Sequence, residues 1–383
     1  MSSNIVGIDI GTAHLRAVEV RNPGKLRPVL LRYHEVSLPP GAVIAGEVVE
    51  PHTVAAALKA LWSGGGFRSR QVVLGMGNQR VLARDLSVPK MSLARIRQAL
   101  PFEVQDLLPV PVADALLDFY PISESTTEHG PTVNGLLIAA VKAAVVANVS
   151  AVRLAGLRTI DVDLIPFAVS RLLVTRPGID GVVAVIDLGA TTTSVVITRN
   201  GVPQFVRIIP TGANDLTQAL IEGLQTDAAA AEQLKRRVGL PAATESSDTA
   251  VPFETAAPSD NAAPDSADPT GPGGPRVGSG PVDEAAALII ADTMHDQLGS
   301  IVNTLSYFAN TRPNDPVSAI VLSGGGAELP GLLEAVSKLT SLGVTKGDPL
   351  ATVGLASVID AEALRLRGST YTVALGLVLG RAA

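Results

Sequence analysis

Short runs of β-branched and aliphatic residues, each closed by a glycine or a polar turn, alternate along this chain with stretches of helical period. Near the start, Val6-Gly-Ile-Asp9-Ile-Gly11-Thr12 leads into a second apolar run, Leu15 to Val20, which reads as a β-hairpin turning on Asp-x-Gly. The pattern returns without gaps at Val185-Ile-Asp187-Leu-Gly189-Ala190-Thr191, followed by Ser194 to Thr198. Such a repeat predicts a duplicated α/β protein with a cleft between its halves, the usual seat of a small ligand.

Within the first half, Val29 to Leu38 reads as a strand, Thr53 to Trp62 as a helix and Gln71 to Gly75 as a strand. The intervening Gly64-Gly65-Gly66 lacks the Gly-Lys-Ser/Thr of a phosphate loop, so it is expected to cap the helix. From Arg80 to about Gly156 the order becomes strand, helix, two strands, helix: Val81–Val88, Ser92–Leu108, Leu116–Ile122, Val133–Val141 and Ala143–Ala155. This predicts an inserted α+β subdomain, whose first helix Pro101 should kink or divide. The stretch 241–282 holds eight prolines and six acids against one base, a composition expected of a poorly ordered loop. Helical period resumes at Asp283, with Ala286, Ile289, Ile290, Met294, Leu298, Ile301 and Leu305 on a core-facing stripe.

Composition narrows the partners. A length of 383 residues with 46% hydrophobic residues suits two domains with real cores. A net charge of −6 without a basic stripe argues against nucleic acid. The chain has no cysteine and its five histidines show no zinc-like spacing, so neither disulfides nor thiolate metal sites are expected. The N-terminus lacks the pattern of a secretory signal. The longest apolar stretch, Leu136 to Ala147, carries Lys142 and falls short of the roughly 20 residues of a membrane span. A soluble, intracellular protein with no direct membrane insertion is expected.

The Asp-x-Gly turns carry the candidate chemistry. Glycine lets the backbone approach a phosphate closely and point N–H groups at its oxygens. A carboxylate there would repel phosphate, so it makes sense facing Mg²⁺ and its water shell, which bridges to the phosphates. Asp9 and Asp187 are thus candidate metal ligands through water. A third element, Ser318-Ala-Ile-Val-Leu-Ser323-Gly324-Gly325-Gly326-Ala327-Glu328-Leu-Pro330-Gly331, reads as a strand, three glycines and a helix opened by proline, with room for an adenine or a phosphate beside bare backbone. A fourth is a helix capped by Asp227 that carries Glu232 and Lys235 on one face, either part of the site or a solvated ion pair.

These four elements, in this order, resemble the actin, Hsp70 and sugar-kinase superfamily. More closely, the chain resembles the PilM family of type IV pilus assembly. Val88-Pro-Lys-Met-Ser, Pro101-Phe-Glu103, Leu108-Pro109, Ala155-Gly-Leu157, Val162-Asp163, Asp348-Pro349-Leu350 and Tyr371 to Leu377 carry the further likeness. The resemblance implies an α/β, duplicated actin-like (ribonuclease H-like) fold with a small SHS2-like insertion. Its expected divisions are 1–79 with 157–180, an insertion at 80–156, then 181–210 with 317–383, and a further subdomain at 211–316.

The resemblance also assigns roles. Asp9, Gly11, Thr12 and Arg16 would form the first phosphate hairpin, with Arg16 where relatives usually carry lysine, and Gly189, Ala190, Thr191 and Thr192 would form the second with Asp187. Gly324, Gly325, Gly326 and Ala327 would strap the adenosine, and Glu232 and Lys235 would reach the ribose or base edge. ATP with Mg²⁺ is the implied ligand, Asp9 and Asp187 positioning the metal's waters. Members that hydrolyse well place Glu or Gln before a proline leading to the second hairpin; Leu164-Ile165-Pro166 stands there, so slow or negligible turnover is expected. The implied partners are the cytoplasmic N-terminal segment of a PilN-like membrane protein, bound near residues 80–156, and other pilus assembly proteins, with homo-oligomerisation left open. Membrane association would then be peripheral, through partners. An FtsA-like division protein and a small-molecule kinase on the same fold are the alternatives; no acceptor-site base supports the kinase.

Overall fold

The repeat in the sequence becomes two sheets of one plan. The structure, a computed structural model, describes residues 4–128, 130–241 and 280–382. The loop expected over 241–282 lies, for residues 242–279, outside the described residues. In the first sheet Asn4–Ile10, His14–Arg21 and Val29–Ser37 form an antiparallel meander; Gln71–Met76 lies parallel beside Asn4–Ile10, and Arg158–Leu164 parallel beside that. The second sheet repeats the order with Val182–Leu188, Thr193–Arg199 and Val202–Ile209, then Ala319–Ser323 and Gly343–Lys346. All seven residues of Val182–Leu188 are buried, as the unbroken aliphatic run of a strand covered on both faces requires.

Amphipathic helices supply the cover. Pro51–Gly65 and Lys142–Leu154 pack Val54, Leu58, Ala151 and Val152 against Val6, Ile8 and Leu74. The latter helix, grouped by its sequence pattern with 80–156, therefore shares its core with the first sheet. Gly66 ends Pro51–Gly65 in the left-handed region (φ 61°), its N–H returning to the Trp62 carbonyl, as the triple glycine predicted. The long helix Pro281–Thr311 sets Ala286, Ile290, Met294 and Ile301 on Ile186, Ile197 and Leu322 of the second sheet, while Ile289 stays only partly buried. Between the sheets, Ile165–Ser170 and the last α-helix, Thr372–Val378, complete a core shared by both halves, with Val18, Val185, Val321, Leu375 and Leu377.

A third sheet, in the order Val81–Pro89, Gly130–Val141, Ala115–Thr127, forms a ladder of its own. The helix Leu93–Glu103 covers it with Ile96 and Leu100 on Phe119 and Leu137. The helix expected over Ser92–Leu108 is divided: Pro101 sits in its last turn, and a separate 3-10 turn follows at Gln105–Leu107. Leu136, with Val81, Ala83 and Ile138 beside it, packs this sheet onto the shared core, and two further contacts reinforce the junction. Arg312, closing the long helix, bonds Asp85 at 2.9 Å, and the Tyr120 and Phe167 rings lie 4.8 Å apart.

Candidate functional site

The two hairpin tips close alike. Gly11 N–H donates to the His14 carbonyl at 3.0 Å, and Gly189 N–H to the Thr192 carbonyl at 2.9 Å. A side chain at either glycine would meet that carbonyl, a Cβ falling 3.0 Å from it at Gly11 and 2.9 Å at Gly189. The tips face each other across the halves, with the Thr12 and Thr191 hydroxyls 3.4 Å apart. Asp9 and Asp187 are the next-to-last residues of their strands, beside these tips and close enough that the charge of Asp9 raises the pKa of Asp187.

Their surroundings differ. Asp9 retains 14% exposure and has the Arg16 guanidinium at 3.7 Å; burial raises its pKa and Arg16 opposes the rise. Arg16 also bonds Glu35 at 3.0 Å, and Glu35 is held in turn by Arg367, so the expected phosphate cation begins inside an ion-pair chain. Among the described residues Asp187 forms no ion pair. Burial pushes its pKa up to about 6, against the pull of the Ser323 hydroxyl. Its Oδ1 is buried and lacks a hydrogen-bond partner of good geometry.

The glycine strap closes over the second hairpin. Ala319–Ser323 ends with Ser323 opposite Asp187, and Gly324 follows with φ 85°. A Cβ at Gly324 would fall 2.4 Å from the Leu188 carbonyl, whereas one at Gly325 would meet nothing within 4 Å. The strap is therefore pinned at one glycine and open at the next. Gly325–Glu328 forms a 3-10 turn with Gly326 and Ala327 buried. The helix beyond it begins at Leu332 rather than at Pro330, because Pro330 and Gly331 first turn against Leu240, whose N–H donates to the Pro330 carbonyl at 2.8 Å.

Glu232 and Lys235 do not form a solvated pair. Asp227 caps their helix as expected, accepting from the Ala230 N–H at 2.8 Å. Lys235 is 9% exposed and its ammonium reaches Glu232 at 2.6 Å, Thr217 Oγ1 at 2.8 Å and the Ala213 carbonyl at 3.2 Å. Those contacts hold the N-terminal turn of Ala213–Leu224, which rests on the second hairpin through Ala213 N–H to Gly189 O (2.9 Å) and Asn214 N–H to Ala190 O (2.8 Å). Gly212 permits the contact, since a Cβ there would lie 2.5 Å from the Ala190 carbonyl. Sequence reasoning missed Gly212, Thr217, Ser323 and Gln297, which donates to the Gly212 carbonyl at 2.8 Å. The one available signal was the Thr211-Gly212 step before an amphipathic helix whose Asp215 caps it.

These residues fit a metal–phosphate ligand. They offer a pair of facing carboxylates, glycine-lined backbone and a buried acceptor without a partner. Among the described residues no group of three or more Asp, Glu, His or Cys could enclose a metal ion, so a cation held here would share its coordination with ligand oxygens and water.

Comparison with known proteins agrees with this architecture. The family model for type IV pilus assembly protein PilM matches residues 7–259, and that for cell division protein FtsA matches residues 184–376. Among solved structures, a PilM-PilN type IV pilus biogenesis complex superposes with a TM-score of 0.77 at 27% identity, over 99% of this chain and 98% of that one. MreB 5 of Spiroplasma citri bound to AMPPNP shares the fold, with a TM-score of 0.50 at 10% identity over 97% of this chain and 94% of that one. FtsA of Pseudomonas aeruginosa is 24% identical over 98% of this chain and 88% of its own length. FtsA of Neisseria meningitidis is 26% identical over 58% of this chain, a match spanning only 48% of that protein. The fold is the duplicated actin-like one, and the chain belongs to the PilM family of type IV pilus assembly proteins.

Proposed function

We propose that this chain is an ATP-binding scaffold of pilus assembly that captures a short peptide of a PilN-like membrane partner. The observation that carries the nucleotide reading is the tip-to-tip meeting of the hairpins beside Asp187, whose buried Oδ1 lacks a hydrogen-bond partner of good geometry. Gly11, Thr12, Gly189, Ala190, Thr191 and Thr192 would hold the phosphates through backbone N–H groups and hydroxyls, Arg16 would turn from Glu35 toward them, and Gly324 to Ala327 would lie along the adenosine. Glu232 and Lys235, already spent on Thr217 and Ala213, would shape the ribose side rather than supply a free charge. Mg²⁺, held through water by Asp9 and Asp187, would neutralise phosphate charge. MreB 5 bound to AMPPNP lends this the precedent of a shared fold.

The partner reading is supported by the likeness to the PilM-PilN complex and by an apolar cavity of about 340 Å³ at the root of the third sheet, lined by Arg80, Leu82, Leu108, Pro109, Ala140 and Val141 among others. An extended peptide could seat side chains there. The FtsA reading has support from residues 184–376, but of the two family models that of PilM is the one that takes in the inserted sheet. Among the described residues no helix is long and apolar enough to cross a membrane, so attachment through the partner at the cytoplasmic face fits the proposal.

The test titrates a synthetic peptide of the partner's cytoplasmic tail with and without Mg-ATP. Saturable binding is expected, and Ala140→Glu, which puts a charge into the cavity, should weaken it at least tenfold while leaving nucleotide binding intact. Absence of peptide binding in either condition would remove the pilus-partner reading.

Turnover should be slow. Ile165 packs its side chain toward Gly75 and Gly77, where a Cβ would fall 2.8 and 2.9 Å from it, and it has no group to orient water. Single-turnover hydrolysis with Mg²⁺ is expected on the order of 10⁻³ s⁻¹ or slower, the range of nucleotide switches without added catalytic help. Rapid turnover that Asp187→Ala abolishes would show a true ATPase instead.

A further inference from the structure

Buried polar atoms without partners are rare in folded proteins, and each asks for a reason. Seven such side-chain atoms occur among the described residues, and four of them belong to residues around the second hairpin: Asp187 Oδ1, Thr211 Oγ1, Gln297 Oε1 and Ser323 Oγ. Thr211 and Gln297 flank Gly212, whose turn rests on the hairpin tip. Ser323 is of a different kind. It is 2% exposed, it is the last residue of an otherwise apolar strand, Ala-Ile-Val-Leu-Ser, and its register partner in the parallel ladder is Asp187.

In the empty protein that hydroxyl makes no hydrogen bond of good geometry. Leaving a buried donor unsatisfied costs about 1–3 kcal/mol, and alanine would fill the same strand position without that cost. Ser323 is shut off from solvent, Gly324 behind it is fixed by the Leu188 carbonyl, and the residue facing Ser323 across the ladder is Asp187, whose carboxyl is an acceptor for its hydroxyl. A carboxylate presents two oxygens and about four acceptor positions. If one oxygen meets a metal-bound water in the cleft, the other needs a donor within the protein to keep the group oriented and ionised.

On the reading of the site as a Mg-nucleotide site, we propose that Ser323 is a positioning residue for Asp187: its hydroxyl donates to Oδ1 and aims the other carboxylate oxygen at the metal's water shell. It touches neither the nucleotide nor the metal. Its effect passes wholly through Asp187, and so should be visible only when the cation is present.

The test measures the affinity of a fluorescent ATP analogue for the full chain, in Mg²⁺ and in EDTA, together with the thermal midpoint of the nucleotide-free protein. Ser323→Ala is expected to weaken binding in Mg²⁺ about tenfold, the size of a hydrogen bond to a charged group, and to change binding in EDTA less than about twofold. Ser323→Cys, close in size but a poor donor, should behave like Ser323→Ala. With Asp187→Asn already in place, Ser323→Ala should add less than about twofold. The nucleotide-free midpoint of Ser323→Ala should equal or exceed that of the parent protein. Equal losses in Mg²⁺ and EDTA, no loss at all, a full loss on top of Asp187→Asn, or a lowered midpoint would each overturn the proposal. If the parent protein fails to bind the analogue in Mg²⁺, the nucleotide reading itself falls and this inference falls with it.

Discussion

Replacing Gly7 with valine should abolish the cooperative unfolding transition of this protein or lower its stability by more than about 4 kcal/mol. Gly7 lies within Asn4–Ile10, where the last α-helix crosses so closely that a Cβ would stand 2.0 Å from the Ala374 carbonyl oxygen. Backbone cannot rotate aside as a side chain does. The helix cannot retreat either, because a Cβ on its own Gly376 would already lie 2.2 Å from the Ala168 carbonyl on the far side. The crossing thus joins the central strand of the first sheet, Thr372–Val378 and Ile165–Ser170, the three elements that bind the shared core. Overpacking of an ordinary core site costs about 1–3 kcal/mol; here two main chains must separate, and the cost belongs in the exceptional tail. Gly299→Ala is the matched control. It sits inside the long helix with nothing within 4 Å of its Cβ position, so it should stabilise by roughly 0.5–1 kcal/mol. Urea denaturation monitored by circular dichroism distinguishes these outcomes, and a Gly7→Val midpoint near that of the parent protein would show that the crossing yields.

How much of the fold and site could be read beforehand depends on the range of each interaction. The hairpins at Asp9 and Asp187 were legible because a turn is local and the chain states it twice. The cap at Gly66 and the interruption at Pro101 were legible for the same reason, since each acts on its own turn of backbone. Arg16 reads from the sequence as a phosphate cation, but nothing near it in the sequence marks it as the partner of Glu35, which is itself held by Arg367 from the far end of the chain. The sequence shows Lys235 with its i,i+3 neighbour, yet its contacts with Thr217 and Ala213 come from a different helix. Lys142–Leu154 shows the limit most clearly. Its helical period was evident, but a period does not tell which core a helix covers, and Ala151 and Val152 turn to the first sheet. Ser323 gave no signal, because its interest lies in facing Asp187 across a ladder between strands more than a hundred residues apart.

Asp187→Asn should divide function from stability in opposite directions. In Mg²⁺ the variant should lose affinity for ATP about a hundredfold or more, within the 2–5 kcal/mol typical of truncating one partner of a desolvated charge contact. Without nucleotide the same change should stabilise. The carboxyl of Asp187 is buried without a cation, and its pKa of about 6 in the folded protein stands above the ordinary value of 3.8 that the unfolded chain retains. A folded pKa raised in this way means that the native state holds its proton longer than the unfolded state does. The associated stability is fully present below about pH 4, is lost as the pH rises toward and through 6, and stays lost above, a total on the order of 2–3 kcal/mol. Asparagine carries no charge to bury, so the advantage of the variant over the parent protein should be small at pH 4, grow between pH 4 and 6, and level off by pH 7. Thermal melts in EDTA across that range measure the difference, with the titration of groups away from Asp9 and Asp187 common to both proteins. Adding Mg-ATP at pH 8 should then raise the midpoint of the parent protein and leave that of the variant where it was, because a ligand stabilises only the form that binds it. A variant less stable than the parent protein at pH 8 would mean that Asp187 is satisfied by the fold itself, whereas the expected gain marks a charge that the fold keeps ready for a cation.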